Sequence, residues 1–287
     1  MTAALFATSV LLWGGGALMS ALQAGIVPAP VSVSYRMAAA AVLLLGWAGL
    51  RGVRLTVPAP DRLWVAAQGV LFFGVPFTAF YEATRLIPSG LAALVLSMAP
   101  VFATVLAGLC LGSRPTLRTV SGIALGTVGV ALVFGLDLPA TLDPATALRG
   151  LGLSLVAAGA TAGGTVIGAR NQRAGLPVLA TLAWGAIVGA MAAAGWAMAI
   201  GADFTFDPSA RYMLSLAYLA VLASVAAFLI YFELVGRLGP GRAAYIFAVV
   251  PVVALLLSSL FEGLALAPLA ILGVAIILAG NLIVLRG

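Results

Sequence analysis

The sequence predicts an all-α membrane protein: ten transmembrane helices arranged as two inverted five-helix repeats. Three observations predict this. The 287 residues are 63% hydrophobic and only 8% charged, whereas a soluble domain carries about 25% charged residues and has no way to hide so much apolar surface from water. Polar punctuation divides the chain into apolar runs each long enough for the roughly 20 residues that cross a bilayer. And the second half repeats the scarce residues of the first. Strands are not expected, because the runs are long and lack period-2 alternation.

In chain order the expected spans are 3–24, 31–50, 63–84, 89–111, 119–136, 148–169, 177–200, 212–236, 242–261 and 268–285. The first lacks a basic leading region and runs at once into a second apolar segment, so it is expected to remain as a helix. Connectors are short and rich in Pro, Gly, Asp and Arg. The chain reads as one transporter-sized domain over 1–287, with repeats at 1–136 and 148–287. Arginine placement sets the orientation. With the N-terminus in the cytoplasm, Arg51, Arg54, Arg62, Arg114, Arg118, Arg170, Arg173, Arg237, Arg242 and Arg286 fall inside, against Arg85, Arg149 and Arg211 outside. Both termini are then cytoplasmic. The basic balance reflects helix ends, not a nucleic-acid surface.

Absences narrow the chemistry. There is no His, the 14 basic residues are all Arg, and Cys110 is the lone cysteine. No His-based zinc site, Schiff-base lysine, Ser-His or Ser-Lys hydrolase or structural disulfide is available. No phosphate-binding loop of the G-x-x-x-x-G-K-[ST] form occurs. The expectation is a non-enzyme with no cofactor and no metal, whose partners are a small molecule and the lipid bilayer.

The repeat emerges when the sequence is shifted so that Glu82 meets Glu233. Gly90 then meets Gly241, Ala92-Ala93 meets Ala243-Ala244, Pro100-Val101 meets Pro251-Val252, Gly122 meets Gly273 and Gly129 meets Gly280. Glu and Pro are rare here, so their matches carry the weight. A repeat of five spans, an odd number, inserts with opposite orientation, the architecture of secondary transporters.

The stretch from Phe80-Tyr81-Glu82 through Ile87-Pro88-Ser89-Gly90 to Pro100-Val101-Phe102, repeated from Tyr231-Phe232-Glu233 to Pro251, resembles the drug/metabolite transporter superfamily, EamA type. Trp13-Gly14 in the first span fits the same resemblance, which covers the whole chain. Within that family the chain is most similar to bacterial aromatic amino-acid exporters. The resemblance implies secondary transport of small metabolites, usually export, from the inner membrane. Ser113 departs from the acidic residue common at its place, which Glu262 holds in the second half.

Several residues are candidates for a pathway. Pro100 and Pro251 each kink a span and free a backbone carbonyl. Ser97 lies one turn before Pro100, and Ala248 is its repeat mate. Trp13 falls mid-span, away from the interfaces where Trp47, Trp64 and Trp196 are expected. Phe77, Tyr81, Tyr231 and Tyr245 offer rings that suit an aromatic or apolar side chain. These nine form the expected substrate site. Glu82 and Arg85, and Glu233 and Arg237, are spaced for intrahelical pairs. Arg36, inside the second span, is expected either to gate the outer side with Glu82 or to anchor a carboxylate. Gly122-x-x-x-Gly126 and Gly159-x-x-x-Gly163 mark close helix packing, within the chain or between copies.

The function expected from all this is export of small metabolites, amino acids including aromatic ones, by alternating access. Export of drugs or other metabolites is the alternative within transport, and a structural or lipid-handling protein the alternative outside it. The coupling ion and the oligomeric state are not readable from the sequence.

Overall fold

The protein was analysed as a computed structural model that describes residues 2–111, 117–135, 143–238 and 246–285. Its regular secondary structure over those residues is all helical. α1 is Thr2–Leu22 and α2 is Ala29–Leu50, entered through Pro28 and Pro30. α3 begins with a short turn, Ala59–Asp61, runs α-helically over Arg62–Gly69, loosens into a π-helix over Val70–Gly74 and tightens again over Val75–Thr84. α4 comes in two pieces, Ser89–Leu96 and Ala99–Leu111. α5 is Leu117–Gly135, α6 Pro144–Arg173 and α7 Val178–Ala199. α8 repeats the α3 pattern: Ala210–Ala217, a π-helix over Tyr218–Ala226, then Ala227–Leu238. α9 is Ile246–Phe261 and α10 is Pro268–Leu285.

Seven of these, α1 to α4 and α6 to α8, are long and apolar enough to cross a membrane. The other three carry shorter apolar stretches, Val120–Phe134, Ile246–Phe261 and Pro268–Ile283. The chain is therefore an all-helical, multi-pass membrane protein. Its outer faces carry exposed Val42, Leu50, Trp196, Leu256 and Leu260, apolar surface that only lipid tails satisfy. α6 is longer than its apolar run, because Asp143 starts it early. The Asp143 carboxylate accepts both the backbone N–H and the hydroxyl of Thr146 at 2.9 Å. These bonds, before the charge of Arg149, hold the Asp143 carboxyl below the usual carboxylate range.

The helix breaks have local causes. In α3 the Val75 N–H reaches back to Val70 O, and the next residue, Pro76, has no N–H to offer. The wider register absorbs a ring that would otherwise clash one turn back. In α4 the Pro100 ring stops the first piece at Leu96, and the Ser97 hydroxyl bonds back to Leu94 O at 2.6 Å. Pro251 lies inside α9 without splitting it.

The helices pair in a regular way. α2 packs on α7, α4 on α9 and α5 on α10. The remaining main pairings come in couples: α1 on α9 and α6 on α4; α1 on α8 and α6 on α3; α2 on α8 and α7 on α3. Small residues permit the approaches. A side chain at Gly90 of α4 would strike the α9 backbone at Leu255 Cα, 2.8 Å away. Gly129 and Gly273 face each other between α5 and α10, each closed off by the other's carbonyl, and Gly280 lies on Gly122 O. The glycine motif of α5 thus serves packing within the chain. In α6 Gly164 is set against the backbone of the α3 π segment at Leu71-Phe72 and Gly163 meets the Leu71 side chain, while a side chain at Gly159 would meet nothing within 4 Å.

Candidate functional site

Two side chains organise the middle of the bundle. Trp13 is at the midpoint of α1, flanked by Gly14, Gly15 and Gly16, which admit Val253 of α9, Tyr218 and Ala223 of α8 to the helix surface. Its indole N–H donates to Ala223 O at 3.0 Å. That carbonyl stands where the α8 π segment ends, just after the bond from Ala227 N–H to Leu222 O. A register change of this kind is where a backbone acceptor needs an outside donor. The ring stacks on Phe247 at 5.3 Å, 17° between planes, and meets Phe228 edge-on at 5.3 Å and Tyr231 at 5.5 Å. Phe228 continues the cluster to Phe72 and Phe73, and Phe73 to Phe77, in α3.

Arg36 of α2 is the second. It is 4% exposed. Its Nε–H donates to the Ser224 hydroxyl of the α8 π segment at 3.0 Å. The guanidinium lies over the Phe77 ring at 4.1 Å and near that of Tyr81 at 6.0 Å, a cation–π arrangement that gains strength away from water. Among the described residues no carboxylate pairs with it. The Tyr81 hydroxyl is buried without a hydrogen-bond partner, with Arg36 and Ser20 as its polar neighbours.

The remaining predicted residues fall elsewhere or in simpler roles. Glu82 pairs with Arg85 at 3.8 Å, not with Arg36, and Arg85 also donates to Gly25 O and Val27 O in the α1–α2 connection. Glu233 pairs with Arg237 at 2.7 Å on an exposed face. Ser97 is buried and accepts from the Asn281 amide of α10 at 3.0 Å, so it joins two helices. Ala248 and Pro251 are buried in α9, and Pro100 is half-buried. Tyr231 belongs to the Trp13 cluster. Tyr245, Ser113, Asp137, Arg114, Arg242 and Arg286 lie outside the described residues. The structure thus brings together Trp13, Phe77, Tyr81, Tyr231 and Arg36. It leaves Ser97 and the two Glu–Arg pairs apart from them.

Sequence reasoning missed Ser224 as the partner of Arg36. Ser224 had a signal, a lone hydroxyl inside the apolar run 219–230. It also missed what Glu262 does. Its carboxylate accepts from the Ser89 N–H at 3.1 Å and the Ser89 hydroxyl at 2.6 Å, tying the end of α9 to the start of α4. On another face, between α3 and α6, buried Gln68 accepts from the Asn171 amide at 2.8 Å, while Arg170 reaches Asp61 at 2.5 Å. A lateral groove of about 550 Å³ runs between α1, α8 and α9, lined by Leu11, Leu18, Tyr218 and Leu257, with Arg211 and Glu262 also on its wall. Among the described residues no cluster of acidic or Cys side chains is built to hold a metal.

A multi-pass helical bundle whose helices pair in couples, with a cationic and aromatic centre, is the class of a small-molecule transporter. The sequence profile of the EamA-like transporter family matches twice, over residues 1–135 and 148–286, and the chain belongs to that family. It is 30% identical over 99% of its length to the uncharacterized inner membrane transporter YedA of Escherichia coli K12, covering 90% of that protein. It is 29% identical to a probable amino-acid metabolite efflux pump of Salmonella typhimurium, over 67% of this chain and 66% of the pump. A crystal structure superposes with a TM-score of 0.68, covering 98% of this chain and 95% of the other at 19% identity, a likeness of fold.

Proposed function

We propose that the chain is a secondary transporter of the inner membrane. Its ten helices form two inverted five-helix repeats, and it exports amino acids, aromatic ones included, by alternating access. The coupled helix pairings carry this reading. Exchange α1 to α5 for α6 to α10 and each principal pairing turns into another, or into itself, as a two-fold relation between halves requires. The π segments obey the same exchange. Val70–Gly74, moved by the spacing between Glu82 and Glu233, falls inside Tyr218–Ala226. The twofold family match supports the same division. Two equivalent halves around a central site give two equivalent ways to open it, which is the basis of alternating access.

The substrate class rests on the centre. Trp13, Phe228, Tyr231 and Phe247 offer ring faces and edges for an aromatic side chain. The amino-acid metabolite efflux named for a relative points the same way. The test is uptake into liposomes holding the purified protein, with labelled phenylalanine and tryptophan set against alanine and protein-free vesicles. Saturable uptake that prefers the aromatics is the expected result. Preference for alanine removes the aromatic specificity, and uptake of none removes amino acids as substrates.

Orientation is tested separately. With Cys110 replaced by Ser, a cysteine at Arg51 is expected to resist a membrane-impermeant maleimide applied to intact cells, and one at Arg211 to react. The reverse pattern inverts the topology.

A further inference from the structure

We infer that Arg36 and Tyr81 form an anion-binding subsite that takes the α-carboxylate of the transported amino acid. The inference rests on the transport reading and deepens it. An isolated charge inside a bilayer is expensive and is retained where it pairs or binds something. Arg36 has five N–H donors. One, on Nε, is committed to Ser224, and the flat face is covered by Phe77 at 4.1 Å. Among the described residues no ion pair takes the rest, and the polar group set beside them is the Tyr81 hydroxyl. The two Nη atoms form the side of the fork that grips a carboxylate through paired bonds.

Tyr81 supplies the independent observation. Its ring is 2% exposed, and its hydroxyl is buried without a hydrogen-bond partner, beside Arg36. A buried donor left unmade is costly, and one set next to an uncompensated cation favours an anion that meets both. A carboxylate there neutralises the guanidinium and accepts from the phenol at once. The Ser224 bond and the Phe77 ring fix the plane of the fork, so the anion is met by a group already oriented. Arg36 and Tyr81 come from the first half of the chain and Ser224 from the second. A bound carboxylate therefore sits where α2, α3 and the α8 π segment converge.

The test measures binding to the purified full-length chain in detergent, comparing phenylalanine with phenylalaninamide, which keeps the ring and the amino group and lacks the carboxylate. Phenylalanine is expected to bind about tenfold or more tightly, the worth of hydrogen bonds to a charged group. In Arg36→Gln that preference collapses while the affinity for the amide stays as it was. Tyr81→Phe narrows the preference by a smaller factor and serves if Arg36→Gln does not fold. A purely structural Arg36 weakens both ligands together. Equal affinity for acid and amide, binding of neither, or a preference intact in Arg36→Gln overturns the subsite. Uptake into liposomes separates the two readings. Amino-acid uptake without acid preference sinks the subsite and leaves transport standing, whereas acid-selective binding without uptake sinks transport and leaves the subsite.

Discussion

Trp13→Ala is expected to abolish amino-acid uptake and to lower the melting temperature of the purified protein, while Trp13→Phe keeps most of both. Truncating a buried tryptophan in a packed core costs about 3–5 kcal/mol. In a bilayer the part that comes from expelling water falls away, but the lost contacts with Phe228, Tyr231 and Phe247 do not. Phenylalanine at position 13 preserves a stacking surface against Phe247. It still removes the indole N–H from Ala223 O. Hydrogen bonds measured within membrane bundles average about 0.6 kcal/mol, so the loss in Trp13→Phe is expected near that value. The order Ala far below Phe, with Phe slightly below the parent, is the prediction, read by thermal unfolding and by initial uptake rate. If Trp13→Ala melts with the parent and transports normally, the ring neither supports α8 nor lines the path. A Trp13→Phe loss as large as that of alanine would make the Ala223 bond, and not the stacking, the main contribution.

The sequence exposed helix positions well and side-chain partnerships poorly, for a physical reason. Spans are written by composition over 20 residues, so the runs at 31–50 and 268–285 reappear as Ala29–Leu50 and Pro268–Leu285. A proline break is equally local: Pro100 splits α4 as its missing donor requires. The π segment of α3 has a visible cause in Pro76, yet α8 carries its own without a proline, where it packs against α1 and α2. Arg36 shows the limit. Its level in the span was readable and made Glu82 a plausible partner. Rotation about α2 and the position of α8 decide the partner, and they turn Arg36 inward to Ser224, a residue of the other half. Glu82 then pairs with Arg85 three residues on, the contact its own helix offers most cheaply. Ser97 went the same way. Its place on α4 was readable, but Asn281 lies 184 positions along the chain, and no local pattern connects them.

Gly273→Ala is expected to destabilise the protein strongly, and Gly195→Ala not at all. Both exchanges put a methyl group on a helix in a residue's favourable direction, since alanine in a helix interior is preferred over glycine by about 1 kcal/mol. They differ in what the methyl meets. At Gly195 there is nothing within 4 Å. At Gly273 it comes 2.7 Å from Gly129 O, 2.8 Å from Val133 Cγ2 and 3.0 Å from Leu132 Cβ. The first of these is backbone and yields only if α5 and α10 move apart. Overpacking costs about 1–3 kcal/mol where side chains can shift, so a clash with a carbonyl should reach the upper end or beyond it. Gly280→Ala tests the grading: its methyl stops 3.1 Å from Gly122 O and from Leu125 Cβ, and it should be milder. Thermal unfolding in one detergent reads all three. Because α5 and α10 pair with each other and contribute no residue to the Trp13–Arg36 centre, a folded fraction of Gly273→Ala should bind substrate with parental affinity. Equal melting of Gly273→Ala and Gly195→Ala would mean that α5 and α10 do not meet along this face. A loss of affinity with unchanged stability would place the α5–α10 contact in the transport cycle rather than in the scaffold.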